Sequence, residues 1–171
     1  QDGLIGPHWS KGWIIEDNEV FGSKCVGISL GKDISTGHNE WSGGKGKGGT
    51  QREQEVIFRA LHGNWHKDFI GSHMVRNNII HDCEQAGVVG HLGGAFSTIT
   101  GNTIYNVHHK RVFHGAEVAG IKLHASLDTQ ITNNKIYGCY RALWLDWQAQ
   151  GTRISRNVFF DSLSEDFFVE V

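Results

Sequence analysis

The 171-residue sequence predicts an all-β chain wound as a right-handed parallel β-helix, with one insertion made of a loop and a short helix. Three observations predict it. An asparagine motif recurs at a nearly constant interval, a second short apolar run follows each motif, and 23 glycines stand against a single proline. Tight corners draw on glycine's backbone freedom, and few prolines leave the strand N–H groups available for pairing.

The motif is a β-branched or apolar residue, two variable residues, then Asn. It reads Ile15-Glu16-Asp17-Asn18, Val75-Arg76-Asn77-Asn78, Ile99-Thr100-Gly101-Asn102, Ile131-Thr132-Asn133-Asn134 and Ile154-Ser155-Arg156-Asn157. The Asn-to-Asn intervals are 60, 24, 32 and 23 residues, a solenoid period of 23–24 broken by two insertions. Asn tolerates left-handed backbone geometry, so it is expected to turn the corner, with its side chain bonded to the coils above and below. An ordinary β-sandwich is the competing reading for so many short strands.

Each coil shows a second strand: Gly27-Ile28-Ser29-Leu30, Gly87-Val88-Val89-Gly90, Gly120-Ile121-Lys122-Leu123, Ala142-Leu143-Trp144-Leu145 and Asp166-Phe167-Phe168-Val169. Alternation points Ile28, Leu30, Val88, Ile121, Leu123, Leu143, Leu145, Phe167 and Val169 into the coil. Cys83 and Cys139 each fall five residues after a coil Asn, with the Val107 coil between them. Two coil rises are about 10 Å and a disulfide needs Cα atoms within about 7 Å, so both are expected as buried, reduced thiols.

Two segments interrupt the period. The first, about 32–72, opens with a glycine- and lysine-rich loop around Gly43 to Gly49. It continues with Thr50-Gln51-Arg52-Glu53, a capping-box pattern, ahead of Val56, Ile57, Ala60 and Leu61. A loop and one short amphipathic helix lying on the solenoid are expected. The second, His108 to Val118, carries His108, His109, His114 and Glu117. The whole of 1–171 reads as a single domain. Gln1 in place of Met suggests that an upstream segment is missing, and the chain stops one residue past Glu170.

A formal net charge of −2 gives no reason to expect nucleic acid or an acidic membrane as partner. No run approaches the roughly 18 apolar residues of a membrane span. Neither cytoplasmic nor secreted bacterial placement is disfavoured. The expected partner is an oligosaccharide, with self-association left to the full-length protein, because 11 histidines and 6 tryptophans suit a sugar groove.

Outward positions of the second strand hold the candidate chemistry. Counted from the coil Asn, Gly31, His91 and Glu170 lie 13 residues on, and His124 lies 22 on across the insertion. Asp146 lies 12 on, which implies one corner residue fewer in its coil; the five then form one vertical column. Asp146 and Glu170 then lie on adjacent coils about 4.8 Å apart. Retaining glycosidases hold their carboxyl groups about 5–5.5 Å apart and inverting ones roughly 6.5–9.5 Å, so this register favours retention. Like charges this close are expected to keep one carboxyl protonated as the acid. His124 one coil below, His91 below that, and Trp144 and Trp147 flanking Asp146 complete a sugar-binding set. An outward acid on a solenoid is otherwise a solvated residue. The histidines raise metal binding as a rival, but none forms a His-x-x-x-His helix pair, and no metal or cofactor is expected. Two further readings stay open: a non-catalytic carbohydrate-binding β-helix, and a polysaccharide lyase, for which Lys122 and Arg153 do not look poised together as a base.

The segments Gly120 to His124, Trp144-Leu145-Asp146-Trp147-Gln148-Ala149-Gln150-Gly151-Thr152-Arg153 and Asp166 to Val171 resemble glycoside hydrolase family 120, β-xylosidases built on a right-handed parallel β-helix. The resemblance extends to Gly3 to Trp9 and Gly71 to Gly90. It implies a retaining, exo-acting enzyme on xylo-oligosaccharides, with Asp146 as nucleophile, Glu170 as acid/base, and Glu117 and His124 lining the sugar subsite. Family members are longer, with a β-sandwich intercalated in the helix and further coils after the acid/base strand.

Overall fold

The computed structural model describes residues 3–31 and 48–170. After β1 (Gly3–Ile5), the first coil comprises β2 (Ile14–Glu16), β3 (Glu19–Phe21) and β4 (Val26–Leu30). The helix α1 (Gly49–His62) follows, then β5 (Met74–Arg76), β6 (Ile79–His81) and β7 (Ala86–His91). The third coil is β8 (Thr98–Thr100), β9 (Thr103–Tyr105) and β10 (Ala119–His124), and the fourth β11 (Gln130–Thr132), β12 (Lys135–Tyr137) and β13 (Leu143–Asp146). The last is β14 (Arg153–Ser155), β15 (Val158–Phe160) and β16 (Phe167–Val169).

Equivalent strands pair in parallel into sheets of six, five and five strands, the right-handed parallel β-helix expected from the period. Each coil carries three strands where the sequence pattern suggested two. The third begins just after each motif Asn, and its one inward residue (Val20, Ile80, Ile104, Ile136 or Phe159) gives too short a pattern to register as alternation.

The motif asparagines form an unbroken ladder. Nδ2 of Asn18, Asn78, Asn102 and Asn134 each donates to Oδ1 of the next asparagine at 3.0 Å, ending on Asn157. The left-handed corner expected at the Asn itself lies one residue earlier, at Asp17, Asn77, Gly101, Asn133 and Arg156, with φ of 56–67°. That residue makes the turn, which frees the Asn to bond along the stack. A second left-handed corner follows four residues after each Asn, at Gly22, Asp82, Asn106, Gly138 and Asp161.

The predicted inward residues Ile28, Leu30, Val88, Ile121, Leu123, Leu143 and Leu145 all join one buried core cluster. Each such side chain, fully buried, contributes roughly 1.5–3 kcal/mol. Phe167 and Val169 hold the same register but are exposed, because no described coil packs over them. Cys83 and Cys139 are buried free thiols in the core, as expected.

The helix begins at Gly49 with Gly48 as its N-cap and no side-chain capping bond there, so residue 50 lies inside the first turn and not at the N-cap that the capping-box reading gave it. The glycine- and lysine-rich loop expected before it lies outside the described residues as far as residue 47. Glu53, the would-be box partner, is instead buried. Val56, Ile57 and Ala60 pack on Leu92 and Ala125, the residues immediately after β7 and β10, with Trp9 and Trp65 alongside. The helix thus roofs one end of the six-stranded sheet.

Candidate active site

The six-stranded sheet sets the site's register. His91 pairs with His124 and His124 with Asp146 on successive strands. The pairing of Leu145 with Val169, and the bond from Glu170 N to Leu145 O at 2.8 Å, bring the Glu170 backbone opposite Asp146 on the next coil. The column counted from the asparagines is therefore the column the strands build, from His91 to Glu170.

Its surroundings differ from a solvated face. His91, Lys122, His124 and Asp146 are each 5% exposed or less, because the 108–118 insertion, Trp144 and α1 cover the sheet from outside. Strand alternation shows which way a side chain leaves the sheet, and says nothing of what lies over it.

Lys122 is the residue missed at the sequence level. Its side chain is fully buried, and Nζ lies 2.8 Å from Asp146 Oδ2, 2.6 Å from Glu117 Oε2 and 2.7 Å from His124 Nε2. An ammonium has three N–H donors; oxygens of Asp146 and Glu117 accept from two of them, and His124 Nε2 is a third acceptor only when that nitrogen carries no proton. His124 Nε2 also lies 3.0 Å from both Glu117 oxygens and 3.4 Å from Asp146 Oδ2. With one proton it either accepts from Lys122 or donates to a carboxylate, not both. The signal that could have found Lys122 is a lysine at an outward position two residues before a column histidine and opposite Trp144.

Burial by itself would raise the Glu117 pKa, but the His124 hydrogen bond and the Lys122 charge outweigh it and hold the carboxyl well below the usual carboxylate range. Glu117 is thus a fixed anion at neutral pH. Asp146 is tied at both oxygens, Oδ2 to Lys122 and Oδ1 to the backbone N–H of Trp147 at 2.8 Å.

Among the predicted site residues, the fold brings Asp146, His124, Glu117 and Trp144 together. The Trp144 ring carries Lys122 Nζ at 4.4 Å and Arg141 at 4.7 Å from its centroid. Its indole N–H is buried without a hydrogen-bond partner among the described residues. Trp147 meets Asp146 through its backbone. His91 is one step removed, edge-on to the His124 ring at 5.0 Å and 3.7 Å from Glu53. Beside Glu117 and Trp144 opens a cavity of about 470 Å³, also lined by His108, His114, Tyr140 and Arg141. The insertion that walls it is pinned by buried Glu84, whose carboxylate accepts from Lys110 N and Val112 N at 3.2 and 3.0 Å.

Among the described residues, two donor sets could meet a cation: Glu117, His124 and Asp146, and Glu53, His91 and His124. The first already surrounds the Lys122 ammonium. In the second, His124 is shared, and the same ammonium stands 2.7 Å from its Nε2.

A family model described as periplasmic copper-binding protein (NosD) matches residues 68–165. No curated protein matches the chain. Among solved structures, the complex of XylC with xylose is similar, at 55% sequence identity and a TM-score of 0.95. That match covers 100% of this chain and 27% of XylC. Resident copper does not suit the donors described here. A buried ammonium against the shared histidine repels a second cation, and the buried thiols of Cys83 and Cys139 lie in the solenoid core.

Proposed function

The chain belongs to the NosD family and to glycoside hydrolase family 120, and from that membership we propose that it carries the catalytic column of a retaining, exo-acting β-xylosidase on xylo-oligosaccharides. The chain spans 27% of the length of XylC, so the activity is proposed for the protein that carries these coils. The observation that carries the reading is Asp146, fixed by Lys122, on the strand that pairs with the strand leading to Glu170. Its support from outside the chain is the 55% identity to a protein solved with xylose.

In the first step Asp146 attacks the anomeric carbon as the glycosidic C–O bond breaks, and Glu170 gives its proton to the leaving oxygen. In the second, Glu170 takes a proton from water, whose oxygen attacks the same carbon and expels Asp146. Two inversions give net retention. Glu117, His124 and the Trp144 N–H are proposed to bind sugar hydroxyls, with His91 steadying His124 from behind. A lyase would need a base free to reach a substrate proton, and the ammonium of Lys122 is wholly enclosed by its three partners.

The test is Asp146→Gly in the full-length protein, assayed on an aryl β-xyloside with and without azide. Turnover is expected to vanish and azide to restore an α-xylosyl azide. Undiminished turnover, or a β-xylosyl azide, contradicts the assignment. Binding of xylo-oligosaccharide by the unsubstituted protein with no product at all would make it a binding module.

A further inference from the structure

We infer that Lys122 is the positioning residue of the proposed nucleophile, holding the Asp146 carboxylate aimed and beside Glu117 through its buried ammonium. The inference rests on the reading of Asp146 as nucleophile and adds a residue that neither the motif nor the register assigned.

The argument begins with charge. Oxygens of Glu117 and Asp146 lie within 4.8 Å of each other, and Glu170 comes from the next coil. Carboxylates so close repel, and in a poorly solvated site the repulsion grows. Two structural elements face Asp146 with titratable groups, Lys122 and His124 from β10 and Glu117 from the insertion, and the backbone after β16 brings Glu170 opposite it. His91 of β7 and Glu53 of α1 stand behind His124. Among these described groups Lys122 is the one lysine or arginine side chain. It is also fully buried, where an ammonium is tolerated only when paired and hydrogen-bonded.

Geometry makes the role specific. Lys122 bonds Oδ2 of Asp146, and the Trp147 N–H bonds Oδ1. Two donors on the two oxygens fix both torsions of the Asp146 side chain, the pre-orientation an attack on carbon requires. Lys122 lies beneath the site and touches no open surface, so it acts through Asp146 and not on the sugar.

The test compares Lys122→Gln with Lys122→Arg in the full-length protein, using a 2,4-dinitrophenyl 2-deoxy-2-fluoro-β-xyloside that arrests the enzyme after the first step. In the unsubstituted protein the label goes to Asp146; a label elsewhere overturns the reading of the nucleophile and, with it, a positioning role for Lys122, whereas the variants below test Lys122 with that reading intact. With Asp146 labelled, Lys122→Gln is expected to slow labelling at saturating reagent by about 10²–10³-fold. Lys122 is one of the groups that hold the Glu117 carboxyl low, so in Lys122→Gln the acidic limb of the kcat/KM profile should move to higher pH. Lys122→Arg, which keeps the charge, should retain the position of that limb. Labelling at the unsubstituted rate with an unmoved limb in Lys122→Gln overturns the inference. If Lys122→Gln does not fold, it is combined with Asp146→Asn. Recovery of folding in the pair supports the coupling, and failure in both backgrounds makes Lys122 a scaffold residue and overturns it.

Discussion

Lys122 Nζ lies 2.8 Å from Asp146 Oδ2, although the two residues are 24 positions apart in sequence and on neighbouring strands. The solenoid makes this possible. One coil brings residue 122 beside residue 144 in register, and a diagonal reach across the sheet then meets the next outward side chain. A column of outward residues at one coil spacing is thus a place where a cation from one coil and an acid from the next can be held without any loop precision.

The asparagine ladder should dominate folding stability. Asn102 accepts from both Asn78 N and Nδ2 and donates to Val75 O and Asn134 Oδ1. Asn102→Leu leaves several buried groups unpaired and should cost about 2–4 kcal/mol, read as a lower urea midpoint at unchanged slope. Asn18→Leu, at the exposed end of the ladder, should cost clearly less.

Thiol reactivity checks the stacking independently. Burial pushes the Cys83 thiol up to about 11 and the Cys139 thiol up to about 12, whereas Cys25 is exposed. Ellman's reagent on the native protein should modify one thiol of this segment, Cys25, promptly, and the other two only on unfolding. Prompt modification of Cys83 or Cys139 would mean an open core.

Acid should weaken the fold in two stages. Burial lowers the His73 pKa from 6.5 to about 4, so the unfolded chain binds its proton first. Stability from neutral His73 is complete above pH 6.5 and is lost as pH falls toward 4. The Glu117 carboxyl is held below its ordinary 4.5, so its contribution is present above that value and lost below it. Thermal midpoints should fall from pH 6.5 to 4, and His73→Gln should flatten that upper stage while leaving the lower one.

Glu84 should matter to substrate binding without touching substrate. It caps the insertion that walls the cavity next to Glu117. Glu84→Ala should raise KM for xylobiose by about 10-fold, an effect near 1.4 kcal/mol, with a smaller change in kcat. An unchanged KM would detach the cavity from the reaction.

Much of this was legible in the sequence. The asparagine spacing yields the coils, and counting from Asn78, Asn102 and Asn134 yields the pairing of His91, His124 and Asp146, because register in a solenoid is a matter of integers. Lys122 was not legible as a buried ion-pair partner: alternation placed it outward, and the return of the insertion at Glu117, together with the Trp144 ring, encloses it. The left-handed corner was displaced by one residue for a related reason. Asn77 and Asn133 precede Asn78 and Asn134, and an asparagine suits both the turn and the ladder, so composition could not divide the roles.

The most direct test of the central claim is to trap the glycosyl-enzyme in the full-length protein with the 2-fluoro-xyloside, digest it and map the modified residue by mass spectrometry. The predicted result is one added 2-deoxy-2-fluoroxylosyl group per chain, on Asp146. A label on Glu117 or Glu170, or product formation with no covalent intermediate and inverted configuration, would contradict it.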